Sequence, residues 1–338
     1  MNIKYLPALL LVWTASLLHA APSADDLAKF VAGLPVRDGA LAARGQETNW
    51  GGHAQVLDKK WTKMDQRQLV HARDWARGNP DVARVSGTVF YTFSGPDFLY
   101  AHTLFPNAST YILCGTEPVG SVPDITQMQP GHIAADLANV RTALDTMLTT
   151  HYFITKDMRV DLTRGNISGT LPILYFFLAR TGCTIQGVKH TGSSVQIDFR
   201  GPNGKSQTLY YVKTDLSNGG GNGPFFAFCK KHAPGVSLLK SASYLMHMDS
   251  FSKVRNWLLD NSTLIVQDDS GIPFRAFDPK RWNLRLFGVY HGPIGLFKEY
   301  YQPNLANAYQ QTKGAPLGFS FGYAWQKEKG MLIQATPR

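Results

Sequence analysis

Five short segments collect the residue types that acid–base chemistry requires. Phe93-Ser-Gly-Pro-Asp97, Gly115-Thr-Glu117-Pro-Val-Gly120 and Gln267-Asp-Asp-Ser-Gly-Ile-Pro273 each place a carboxylate just after an apolar run. His247-Met-Asp249 and Tyr290-His-Gly-Pro293 add imidazoles. Two nearby carboxyl groups can hold their pKa values apart and so supply an acid and a base. Asp268 and Asp269 are adjacent, and neighbouring side chains on a strand point to opposite faces. One of them is expected to face a cleft while the other caps the turn. The same acidic loop could hold a hard divalent cation. If His247 and Asp249 lie on a strand, they share a face and could act as a base with its orienting partner, or as two metal ligands. Zinc needs at least three protein ligands. His291 could be a general base, Arg275 could hold an anionic or polar substrate group, and Tyr290 could line the ligand site. Each also has a plainer reading. Asp97 suits a helix cap, Glu117 a solvated loop, Asp268-Asp269 an Asp-rich turn, and the histidines ordinary loop contacts.

Recognised catalytic and cofactor motifs are missing. The chain has no GxSxG elbow, Walker loop, HExxH, or GxGxxG after a strand. Nothing therefore names a cofactor. Carboxylates without a nucleophile motif favour hydrolysis of a glycan or ester over acyl-enzyme chemistry.

The elements that must position these residues follow from periodicity. Helices are expected near Ser23–Gly33, Val56–Arg77, Ile133–Leu148 and Phe251–Asp260, with an apolar segment over Ile167–Ala179 and a helix over Leu296–Tyr309 broken at Pro303. Strands are expected at Val82–Phe93, Thr110–Leu113, Leu264–Gln267, Trp282–Val289, Gly318–Tyr323 and Met331–Gln334. Pro202-Asn-Gly-Lys205 between two apolar runs predicts a hairpin of Val195–Phe199 and Gln207–Val212. The interleaving of helices and strands argues for an α/β or α+β fold, a mixed central sheet flanked by helices in one main globular unit. Residues 21–80 could form a helical subdomain. The glycines of residues 217–224 read as a flexible loop.

The chain has 338 residues, of which 44% are hydrophobic and 17% charged, with a net charge of +10. That composition excludes intrinsic disorder and coiled coils. Residues 1–20 read as a secretory signal peptide cleaved after Ala20, which predicts a periplasmic or secreted protein. No later apolar run is long enough to span a bilayer, so the mature chain is expected to be soluble. Residues 201–338 carry 16 basic against 8 acidic side chains, and so hold most of the excess charge. They contain no long basic run, and with an export signal nucleic acid is not the expected partner. The charge favours an anionic envelope polymer or small molecule. Cys114, Cys183 and Cys229 are an odd set. Cys183 and Cys229 are candidates for a disulfide, three buried thiols being the alternative. Cys114 is the one thiol considered as a nucleophile.

The segments FYTFSGPDFLYAHTLFPNASTYILCGTEPVG (90–120), SASYLMHMDSFSKVR (241–255), LIVQDDSGIPFRAF (264–277) and YHGPIGLFKEYYQPNLANAY (290–309) resemble a family of exported bacterial proteins with no assigned activity. The resemblance implies one contiguous unit and carries no catalytic roles. The expected function is that of a hydrolase-like enzyme acting on an envelope or extracellular substrate through Asp97, Glu117, Asp268 and Asp269, with His247 or His291 as auxiliary base. The alternative is a non-catalytic binding or accessory protein for an anionic envelope ligand or a partner protein.

Overall fold

The computed structural model describes residues 21–37, 39–152, 162–163, 165–323 and 330–338. The expected signal peptide, residues 1–20, lies outside them.

The chain begins with helices. In α1 (Ala24–Val31), the Ser23 hydroxyl caps the first turn by accepting from the Asp26 amide at 3.1 Å. After α2 (Gly39–Arg44), the helix expected from Val56 starts earlier, as α3 (Thr48–Met64). A π-helical turn, Asp65–Leu69, then leads into α4 (Val70–Gly78). The helix ends at Gly78, one residue past the expected Arg77. Pro80 opens a further short helix, α5 (Pro80–Ala83), so the strand expected from Val82 starts only at Thr88.

The next stretch contains β1 (Thr88–Tyr91), α6 (Phe98–Leu104), β2 (Thr110–Gly115), α7 (Pro130–Thr150) and α8 (Leu171–Arg180). The apolar stripe of α7, with Ile133, Leu137, Val140, Leu144, Met147 and Leu148, is buried as its spacing demands. Each such side chain contributes about 1.5–3 kcal/mol on burial. The chain continues through β3 (Thr184–Thr191), β4 (Ser194–Arg200), β5 (Ser206–Lys213), α9 (Gly223–Lys230) and β6 (Gly235–Leu239). It ends with α10 (Ser252–Asn261), β7 (Ser262–Gln267), β8 (Trp282–Gly288), α11 (Pro303–Thr312) and β9 (Met331–Pro337). Gly318–Tyr323, expected as a strand, contributes one isolated bridge, Phe321 to Gly330.

The nine strands join one mixed sheet in the order β3-β4-β5-β2-β1-β6-β7-β9-β8. Its centre, β5-β2-β1-β6-β7, is parallel, and antiparallel pairs close both edges. The predicted hairpin is present, with the Gly201 amide donating to the Lys205 carbonyl across the turn. Helices cover both faces, as buried parallel strands require. Along β1 and β2, Val89, Tyr91, Tyr111 and Leu113 enter one apolar cluster with α1, α7 and α8, while Phe90, Ile112 and Cys114 enter the other with α9 and α10. The helices of residues 21–80 share the first cluster with the sheet. The fold is therefore the expected mixed sheet between helices.

One expectation changes. Cys183 lies in one apolar cluster and Cys229 in the other, so the sheet separates them, and all three thiols are buried and free. The asparagines of the glycine-rich loop make hydrogen bonds. Asn222 donates to the Asp215 and Ser217 carbonyls, and Asn218 bonds the start of α10 through Ser252 and the Lys253 amide. Among the described residues, no helix is long and apolar enough to cross a membrane.

Candidate functional site

The crossover from β1 runs through α6 to β2 on one side, and that from β6 runs through α10 to β7 on the other. Adjacent strands β1 and β6 thus form a topological switch point, and in open parallel sheets the crevice opens there, beyond the carboxyl ends. The residues that follow the four neighbouring strands are Thr92–Asp97 after β1, Thr116–Glu117 after β2, Lys240–Tyr244 after β6 and Asp268–Ser270 after β7. A pocket of about 140 Å³ sits among them, lined by Asp97, Glu117, Lys240, Ser94, Ser241 and Ser243 with other residues.

Lys240, which the sequence reading passed over, is central. Its side chain is 1% exposed, and its Nζ lies 3.7 Å from Asp97 Oδ2. The ammonium also donates to the His151 carbonyl and sits 4.2 Å from the centroid of the Tyr100 ring. Burial pushes the Lys240 amine below its ordinary value, and the charges of Asp97 and Asp268 work against that. Asp97 has both roles considered for it. Oδ1 caps α6 by accepting from the Tyr100 amide at 3.2 Å, and Oδ2 accepts from Tyr91 Oη at 2.8 Å and faces Lys240. Burial raises the carboxyl, while the ammonium and the Tyr91 hydroxyl oppose the rise.

Asp268 and Asp269 are both fully buried. Neither lines the pocket, so the expected division between a cleft-facing and a turn-capping aspartate is not seen; Asp268 has both of its oxygens engaged within the protein. Its Oδ1 accepts from the Ser270 amide and hydroxyl, which caps the turn. Its Oδ2 accepts from the Ser241 amide at 2.8 Å, which ties the end of β7 to the end of β6. Burial raises this carboxyl too. Gly322 closes over it with a φ of +88°, where a Cβ would stand 2.4 Å from Asp268 Oδ2. Asp269 turns the other way and accepts from Tyr244 Oη at 2.7 Å.

Glu117 is 2% exposed and lines the pocket. Its Oε2 accepts from Tyr211 Oη at 3.2 Å. Gly115 makes room for it, since a Cβ there would lie 2.3 Å from Oε2. The solvated-loop alternative for Glu117 therefore does not hold. Backbone strain is concentrated around the pocket. Of the six non-glycine residues with positive φ among the described residues, Phe93, Ser241 and Ser243 line it, Tyr244 follows them, and the His151 carbonyl holds Lys240. Such conformations cost about 1–3 kcal/mol each and cluster at functional sites. The Ser241 hydroxyl is buried and has no hydrogen-bond partner among the described residues.

The remaining sequence candidates lie elsewhere. His247 and Asp249 sit in consecutive 3-10 turns, Leu245–His247 and Asp249–Phe251, and not on a strand, so the expected shared face does not form. His247 packs edge-on against Tyr244 and Tyr300, and burial lowers its imidazole to about 4. With Arg275, Tyr300 and Tyr301 it lines a second cleft of about 300 Å³. Tyr244 stands between the two groups, touching His247 through its ring and Asp269 through its hydroxyl. Tyr290 is buried and accepts from the Gln302 amide, while His291 is exposed and lines neither cleft. Burial pushes the Cys114 thiol up to about 12, which does not suit a nucleophile. No group of three or more His, Cys, Asp or Glu with metal-binding geometry occurs among the described residues, and the cation that Asp97 faces is the Lys240 ammonium. No protein-family model, curated protein or solved structure matches the chain.

Proposed function

We propose that the switch-point pocket is the active site of an exported hydrolase-like enzyme, with Glu117 as the acid–base residue. The observation that carries this reading is the convergence of Asp97, Glu117 and Lys240 on one pocket from the ends of three adjacent strands, with Asp268 behind them on the Ser241 turn. In this reading Lys240 presents fixed positive charge to a polar or anionic group of the substrate. Asp97 and Asp268 hold that ammonium and the Ser241 turn in place, because their oxygens are already engaged by the protein. Glu117 lines the small pocket, and the tyrosine at its Oε2 orients the carboxyl. The substrate is a small polar unit of an envelope or extracellular molecule.

The tight internal neutralisation of Lys240 favours a second reading, a pocket that binds a polar ligand without turning it over. Assay of the full chain on chromogenic glycosides, esters and phosphoesters separates the two. Turnover that falls at least 100-fold in Glu117→Gln, with fold retained by circular dichroism, supports the enzyme. Undiminished turnover in Glu117→Gln, or ligand binding with no turnover anywhere on the panel, refutes it.

A further inference from the structure

A cavity of about 440 Å³ lies at the opposite end of the sheet from the candidate site. Its walls come from α4, the end of α6, the Pro106-Asn107 approach to β2, and Thr181 just beyond α8. The volume falls in the range of roughly 300–1,000 Å³ typical of small-molecule sites. Trp61, Leu69, Ala76, Leu104 and Pro202 give it an apolar body. Its charged lining is Arg73, Arg77, Arg180 and Asp65. His102 also lines it, held neutral by burial, which lowers its imidazole to about 4. Each arginine has a carboxylate partner, Arg73 with Asp65 at 2.8 Å, Arg77 with Asp74 and Arg180 with Asp58, but Asp74 and Asp58 do not line the cavity, so its wall presents more guanidinium than carboxylate.

Arg180 marks where an anion would sit. Its side chain is 4% exposed. Nε donates to the Ala32 carbonyl at 2.9 Å, and Nη1 to Asp58 at 3.0 Å. Nη2 is buried with no acceptor among the described residues. A buried guanidinium N–H without an acceptor is costly, and a carboxylate is its natural partner. The π-helical turn supplies Asp65 and Leu69 to the same wall. Such turns recur at functional sites because the extra residue re-aims side chains.

We propose that this cavity binds an amphipathic monocarboxylate, its aliphatic body against Trp61 and Leu69 and its carboxylate at Arg180. The test is titration of the full chain with decanoate, decanol and decyltrimethylammonium, read by tryptophan fluorescence and calorimetry. Decanoate should bind saturably and at least tenfold more tightly than decanol, and the cationic amphiphile should not compete. Arg180→Met should weaken decanoate at least tenfold. Because Arg180 also bonds Ala32 and Asp58, two surface changes accompany it: Arg73→Gln with Arg77→Gln should weaken binding several-fold, and Ala83→Trp at the exposed rim should block it. Absence of saturable binding, equal affinity for decanol, or affinity unchanged in the rim and arginine variants overturns the proposal.

Discussion

Replacing Lys240 with Met isolates what the ammonium does for the fold. The methionine nearly matches the aliphatic stem, so the loss is the charge. It leaves Asp97 and Asp268 buried without their cation. Removing one member of a buried pair costs about 3–5 kcal/mol, because the other charge is left unpaired in a poor solvent. At roughly 2 °C per kcal/mol for a chain of this size, the melting temperature should fall by about 6–10 °C. The loss should depend on pH in a definite direction. Burial already raises the Asp97 carboxyl, and removing Lys240 takes away the first opposing influence. Above about pH 4, where an unfolded aspartate has already released its proton, the folded variant still favours the protonated Asp97 carboxyl. Stability therefore falls as pH rises through that window and recovers as pH drops, by about 1.4 kcal/mol per unit at most. Urea denaturation followed by circular dichroism at pH 7 and pH 5 measures both effects. Adding Asp97→Asn should restore part of the loss, since the pair is coupled. A Lys240→Met variant within about 1 kcal/mol of the parent at pH 7, or one that does not recover at pH 5, would refute the reasoning.

Two further outcomes test the site's construction. Gly322→Ala should destabilise the protein by about 1–3 kcal/mol in the same denaturation assay, because φ is +88° and a Cβ would meet the Asp268 carboxylate. All three thiols should resist Ellman's reagent in the native state and react fully in guanidinium, since each is buried and burial raises each above its ordinary value; fast native labelling would count against the packing described.

Glu117 and Asp268 were legible because each follows a short apolar run whose length and β-branched content suit a buried strand. Tyr111-Ile-Leu-Cys114 and Leu264-Ile-Val266 are short and apolar, so Glu117 and Asp268 read as strand-end residues. Lys240 escaped because β6 escaped. Gly235 and Ser237 interrupt its apolar pattern, and a lysine ending such a stretch resembles one reaching into solvent. The buried Ser237 hydroxyl finds its partner in Ser262 on the adjacent strand, and that pairing is a tertiary fact. The signal available was Pro234, which bounds the pentad Gly235–Leu239. β3 hid for a different reason: as an edge strand it is mostly exposed, so no alternation is imposed on it. His247 and Asp249 show the converse error, since spacing of two residues places groups on one face only if the backbone is extended.

The place of β9 in the sheet bears on how the site is shielded. Residues 331–337 lie between β7 and β8, so without them the strand that delivers Asp268 would have an open edge. In the finished sheet β7 pairs with β6 on one side and with β9 on the other. An unpaired apolar edge invites pairing with another chain. By covering that edge, β9 shields the strand that carries Asp268 from pairing with a neighbouring molecule.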